Sequence, residues 1–303
     1  MLFNKDNNGS AELQAVTGIW SASSSYSVIA PEIDEAMRAV AACVGSAVVA
    51  AAEKAYEDGA ESPLVSKVQL PVAALAMLRI SRLQLVTHDD RGSKVRMDAD
   101  EKIPFEWMVD RDERAQQERY YRAMDALYQH LTETGDKNFL AFRATQGESL
   151  VRSIGDFERV YPIDGSYYVY YMLQSLVIEA QPRLQKLVGE ARWSSLSDAA
   201  EWELAALCRR YLVLSAVVAA IERWSLAVFP LQIARRFAPS YQGNRASTAA
   251  TEAAMDNCIA KLRKHLQSTE CEISAVMNDG ANPWDGYDPQ PKSNPEDKFF
   301  SAQ

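Results

Sequence analysis

Three histidines, His88, His130 and His265, are the side chains best suited to proton transfer or metal ligation near neutral pH, and they lie far apart in the chain. None belongs to a His-Glu-x-x-His or Glu-x-x-His arrangement, the spacings that put two ligands on one helical face, so surface or satisfied histidines are expected. The chain has no Gly-x4-Gly-Lys-Ser/Thr loop to cradle a phosphate, no strand-led Gly-x-Gly-x-x-Gly and no Gly-x-Ser-x-Gly elbow. The carboxylates Asp89-Asp90 and the group Asp98, Asp100, Glu101 lack the spacing and the glycine of a calcium loop, and read as solvated turn residues. Asp110, Arg111, Asp112, Glu113 and Arg114 read as a solvated helix start. Cys43, Cys208, Cys258 and Cys271 sit singly with no Cys-x-x-Cys spacing, which is the pattern of buried free thiols in a reducing compartment. The expectation is a protein that is not an enzyme and holds no cofactor and no metal.

The elements that carry these residues are those of a folded protein. Its 303 residues are enough to bury a large core in one domain or two, and 48% apolar with 24% charged residues is a globular composition. A net charge of −9 argues against nucleic-acid binding as the main activity, because that affinity comes from clustered cations on phosphates. The start, MLFNKDNN, lacks the basic-then-apolar plan of a signal peptide, and the apolar uncharged run Ala39 to Ala52 is too short for a bilayer helix. A soluble protein made in the cytoplasm is expected.

The strongest internal pattern is a segment that reads twice, Ser25 to Leu85 and Val169 to Phe229, at a constant shift of 144 positions (170 − 26). Tyr26 falls on Tyr170, Glu35 on Glu179, Val44-Gly45 on Val188-Gly189, Ala76 on Ala220 and Arg79 on Arg223. Apolar character persists at Ile29/Leu173, Ile33/Val177 and Val40/Leu184. Farther on, Ala123-Met124-Asp125 recurs as Ala254-Met255-Asp256 at a shift of 131 (254 − 123), with Leu131 on Leu262. The expected fold is therefore all-α: an N-terminal arm over residues 1–24, helical modules over 25–148 and 149–275, and an extended tail over 276–303.

Within that plan, Pro31, Glu32, Asp34 and Glu35 mark the opening of the first firm helix, since proline suits a first turn and acids complement the dipole. Gly45 ends it, and a second helix runs from Ser46 to about Asp58. A loop to Ser66 leads to an apolar helix from about Pro71 to Val86. The stretch Leu85 to Asp98 reads as a hairpin or an extended loop turning at Asp90-Arg91-Gly92. A long helix over Val109 to Thr134 points Tyr121, Met124, Leu127, Tyr128 and Leu131 inward and stops at Gly135. A short helix is expected from Asp156, then helices over Ser166 to Ala180, Pro182 to Leu196, Asp198 to Phe237 with a kink at Pro230, and Thr248 to Ile273.

After Met277 the composition changes to a proline-rich stretch with no helical period. Its aromatics Trp284, Tyr287, Phe299 and Phe300 could anchor an extended segment in a partner's groove; a disordered end, or one folded back on its own domain, is the alternative.

The succession AMRAVAACVGSAVVAAAEKAY, then PVAALAMLRISRLQLV, resembles the head-tail connector (adaptor) proteins of tailed phages and prophages, in which a short helix ending in glycine precedes an apolar helix. The second copy, from DFERVYPIDGS to LVGEA, is similar to a connector-like family of phage proteins. Connectors carry one such unit, and a doubled one departs from that pattern. The resemblance implies a virion structural protein assembled in the host cytoplasm, forming a ring of its own copies under the portal and joining it to tail proteins. It implies that Trp284, Tyr287, Phe299 and Phe300 anchor the tail in a portal groove. It further implies that the loop carrying His88, Asp90, Arg91 and Lys94 faces a neighbour. No membrane and no specific nucleic acid is implied. A cytoplasmic helical scaffold or regulator using the same tail is the competing expectation.

Overall fold

A computed structural model describes residues 2–84, 87–89, 92–94, 105–196, 201–223 and 252–278, and it is mainly helical. Helix α1 (Gly9–Thr17) is followed by α2 (Tyr26–Val44), α3 (Ser46–Glu57) and α4 (Pro63–Gln84). Two three-residue segments, Thr87–Asp89 (β1) and Gly92–Lys94 (β2), then pair antiparallel with Thr87 opposite Lys94. The rest runs α5 (Glu106–Thr134), α6 (Lys137–Thr145), α7 (Ile154–Glu158), α8 (Tyr167–Val188), α9 (Glu190–Ser195), α10 (Trp202–Arg223) and α11 (Glu252–Asn278).

Apolar spacing explains where each helix lies. On α2, Ile29, Ile33, Ala36, Val40 and Val44 recur every three or four residues and are all buried, so that face lies on the core and the charged face stays out. They meet Val68, Val72, Ala76 and Ile80 of α4 and Met124, Leu127 and Leu131 of α5 in a first core. A second core joins Leu173, Val177 and Leu184 of α8 to Cys208, Leu212 and Val217 of α10, with Ile273 of α11. Helices α4 and α10 are the central pieces, each packed between two others. By length and composition alone, Pro63–Leu83 and Trp202–Arg223 could cross a membrane, at mean hydropathy 1.4 and 1.8. At least half of each is buried, and core packing accounts for their composition.

The two halves use the same local devices. Gly45 ends α2 at φ 97°, ψ 137°, and Gly189 ends α8 at φ 83°, ψ 148°, a left-handed φ that favours glycine. Both then serve as the N-cap of the next helix. A Cβ at Gly45 would meet the Phe142 side chain at 2.9 Å, whereas nothing lies within 4 Å of one at Gly189. Glu35 pairs with Arg79 at 3.7 Å between α2 and α4, and Glu179 pairs with Arg223 at 2.6 Å between α8 and α10. Hydrogen bonding to the Arg223 guanidinium holds the Glu179 carboxyl below its usual range.

Several boundaries differ from the sequence reading, and proline is the common cause. Pro31, Pro71 and Pro182 lie inside α2, α4 and α8 rather than at their starts. An interior proline loses one backbone bond, and the apolar faces on either side hold the helix through it. Helix α4 accordingly begins within the expected loop, at Pro63, and α8 is continuous where two helices were expected. Helices α1 and α6 escaped the reading, and α11 continues to Asn278, past the expected end at Ile273. Asp198, Pro230 and the expected helix end at Phe237 lie outside the described residues.

The first 24 residues, expected as an arm or a loosely attached element, lie on the first core. Leu2, Phe3 and Leu13 are fully buried and Trp20 nearly so. Gln69 Nε2 donates to the Leu2 carbonyl at 2.7 Å, and the Tyr56 hydroxyl donates to Glu12 at 2.6 Å while accepting from the Lys5 amide at 2.9 Å.

Candidate interaction surfaces

Two places in the fold concentrate side chains beyond the needs of a helical core: the seam between its halves, and the start of α5. The seam is made because α8 is amphipathic twice over. Val169, Leu173 and Val177 face the second core, while Tyr168 and, at their edges, Tyr167, Tyr171 and Met172 pack on the first. Tyr121 stacks on Tyr168 at 5.5 Å between ring centroids and Tyr128 on Tyr171 at 4.9 Å, with Phe139 edge-on to Tyr171 at 5.3 Å. Such pairs add about 0.5–1.5 kcal/mol each beyond the area they bury. The Arg143 guanidinium lies over the Tyr171 ring, 4.9 Å from its centroid.

Asp125 of α5 fixes the register of this seam. Its Oδ1 accepts from Ser166 Oγ at 2.8 Å and from the Tyr168 amide at 2.9 Å, so a carboxylate from one half closes the first turn of a helix in the other. Ser166 is itself the N-cap, its Oγ accepting from the Val169 amide at 3.2 Å. Thr132 and Tyr171 share a hydroxyl hydrogen bond of 2.8 Å one turn farther along. Burial pushes the hydroxyl pKa of Tyr128, Tyr168 and Tyr170 well above the ordinary tyrosine value, and that of Tyr171 upward against the opposing effect of Thr132 and Arg143. These rings stay neutral and structural at physiological pH.

Arg82 of α4 and Glu113 of α5 pair at 3.2 Å, which ties the last turn of α4 to the second turn of α5. Leu83, Phe105, Trp107 and Met108 are 59%, 67%, 58% and 41% exposed. Three large apolar side chains exposed within four residues, Phe105, Trp107 and Met108, are the material of interaction surfaces, in contrast to a single exposed leucine such as Leu83. Sequence reasoning began this helix at Val109 and so passed over them. The signal was available in the aromatics of Phe105-Glu106-Trp107-Met108, placed just ahead of a charged run.

The site residues expected from sequence are only partly placed. His88 and Lys94 lie on β1 and β2, opposite Ser93 and Thr87. Asp90 and Arg91 lie outside the described residues, so the expected turn is not described; Trp284, Tyr287, Phe299 and Phe300 lie outside them as well. Among the described residues no three His, Cys, Asp or Glu side chains come close enough to hold a metal ion. Cys208 is buried, which raises its thiol pKa to about 12, and Cys43 is raised by burial too. All four cysteines are free, but of the four expected to be buried only Cys208 is fully so: Cys43 and Cys258 are half-buried and Cys271 is exposed. A shallow cavity of about 360 Å³ between α4 and α5 is bordered by Leu70, Glu118, Arg119 and Arg122 and opens to solvent. Compared with protein-family models, with curated proteins and with solved structures, the chain finds no match.

Proposed function

We propose that this chain is a structural assembly protein: a head-tail connector or adaptor of a tailed phage or prophage that joins the portal to the tail, acting in the virion after assembly in the host cytoplasm. The observation that carries this reading is the exposed apolar stretch Phe105, Trp107 and Met108 at the start of α5. It flanks the loop segment carrying His88, Asp90, Arg91 and Lys94, the part assigned to contact with a neighbour. In this proposal the fold is a tandem duplication of one helical module, with a hairpin only in the first copy. The paired glycines at 45 and 189 and the ion pairs Glu35–Arg79 and Glu179–Arg223, all at the same 144-residue shift, support it. Its mechanism is geometric and non-catalytic: many weak contacts summed around a ring of copies.

The test is binding to a candidate portal protein. Deleting residues 278 to 303, which carry Trp284, Tyr287, Phe299 and Phe300, should abolish portal binding and leave helicity unchanged; unaltered binding refutes the tail's role. The same exposed end also favours a second reading, a cytoplasmic helical scaffold without catalysis. Binding by Phe105 and Trp107 to a non-virion partner, with no affinity for a portal, decides for that one.

A further inference from the structure

We propose that the chain covers its own α9: the start of the tail, residues 279–291, lies along α9 and Leu187 with Trp284 and Tyr287 as its anchors, leaving Phe299 and Phe300 for a partner. The inference goes beyond the assembly role, and its comparison of the two halves rests on the doubled reading above. In the first half α6 packs on α3 and sets the Phe142 side chain over Gly45. There α3 buries Val48, Val49 and Ala52. Its counterpart α9 packs on α8 and buries none of its own residues. Among the described residues nothing lies within 4 Å of a Cβ at Gly189. Leu187, just ahead of that glycine, is 37% exposed, and Trp193 is only half-buried. The second half thus lacks the cover that α6 gives the first.

The tail is tethered at this open place. Helix α11 ends at Asn278, and Arg192 of α9 donates to the Sδ of Met277 at 3.3 Å. Twenty-five residues follow (303 − 278). Trp284 stands seven residues beyond Met277 (284 − 277), an extended reach of about 23 Å, whereas the whole of α9 is about 9 Å long. So short a tether keeps the rings at a high local concentration. Charge points to the same occupant. Lys186 and Arg192 have no carboxylate partner among the described residues, and Glu190 is the one acid between them. Residues 279–291 carry Asp279, Asp285 and Asp288 and no cation, which complements that pair. Pro283 and Pro289 flank the two rings and restrict the free segment, which lowers the entropy lost on docking.

The test is hydrogen exchange of the full chain, read by mass spectrometry on the peptide from Gly189 to Leu196, with the peptide from Gly45 to Ala52 as internal reference. Trp284→Ser with Tyr287→Ser should speed exchange of the first peptide about tenfold and leave the reference and the helicity unchanged. Phe299→Ser with Phe300→Ser should change neither. Leu187→Asp should open α9 as far as the Trp284 and Tyr287 variant does, and combining them should add nothing, because both remove one contact. Unaltered exchange in the Trp284 and Tyr287 variant overturns the inference, as do fully additive effects with Leu187→Asp. So does protection lost only with Phe299 and Phe300, or protection that falls on dilution, which puts a second copy on α9. The assembly role is judged apart from this: a tail that protects α9 in a chain binding no portal keeps the inference and sinks that role. A Trp284 and Tyr287 variant that loses the portal while α9 is unchanged does the reverse.

Discussion

Replacing Asp125 by alanine should destabilise the whole chain although the residue lies in neither core. The substitution removes the acceptor of two hydrogen bonds, from Ser166 Oγ at 2.8 Å and the Tyr168 amide at 2.9 Å, at the first turn of α8. A hydrogen bond to a charged partner contributes about 1.5–3 kcal/mol and loss of a cap costs about 1 kcal/mol. Water can reach part of the vacated space, and Ser166 Oγ still accepts from the Val169 amide, so the lower part of that range applies: about 2–3 kcal/mol in total. For a chain of 303 residues that corresponds to a fall in Tm of roughly 3–5 °C. Asp125→Asn, which keeps an oxygen in place, should lose about half as much, since a neutral acceptor is about half as strong. Asp256→Ala, at an exposed position on α11, is the control and should stay within about 0.5 kcal/mol. Urea unfolding followed by circular dichroism and by tyrosine fluorescence measures all three. If Asp125→Ala costs no more than Asp256→Ala, the seam does not hold the halves and the reasoning fails.

Two further predictions follow from other features. Gly45→Ala should cost about 2–4 kcal/mol, combining left-handed strain with a Cβ driven against Phe142, whereas Gly189→Ala should cost only about 1–2 kcal/mol of strain; equal losses by denaturant titration would show that the approach of Phe142 is immaterial. Stability should also fall as pH rises above the ordinary tyrosine value of 10, because Tyr128, Tyr168 and Tyr170 hold their protons longer in the folded state than in the unfolded one. The folded pKa is raised, so the contribution is complete below pH 10 and is lost on the alkaline side. Tyrosinate absorbance that appears in step with loss of helicity is expected; early ionisation of these rings with the fold intact would contradict their burial.

How much could be seen in the sequence depended on whether a signal was periodic or relational. The stripe Ile29, Ile33, Ala36, Val40, the stop at Gly135 and the break at Gly45 are local patterns, and each marks what it marks in the fold. The prolines misled because a residue that disfavours a helix interior was read as opening one, and the packed faces around Pro71 and Pro182 outweigh that single lost bond. Tyr167 to Tyr171 reads as an unbroken apolar run, and only the fold shows it serving two cores at once. Asp125 stood out as part of a recurring tripeptide, yet its capping role depends on a partner 41 residues away, which no short-range pattern reveals. The tail aromatics and the loop residues Asp90 and Arg91 lie outside the described residues, and the exposed Phe105, Trp107 and Met108 were passed over because they stand ahead of the charged run at which the helix was expected to begin.

The seam sets the order in which this chain becomes safe during synthesis. Once α6 has emerged, the front half has every helix it needs, but the rings of Tyr121, Tyr128 and Phe139 still lack their covering. They remain incompletely covered until about 25 further residues (168 − 145 = 23; 171 − 145 = 26) deliver Tyr168 and Tyr171. A nascent chain halted in that interval would be a sticky half-molecule, and slow codons between Thr145 and Tyr167 would lengthen its exposure to chaperones and to its own kind.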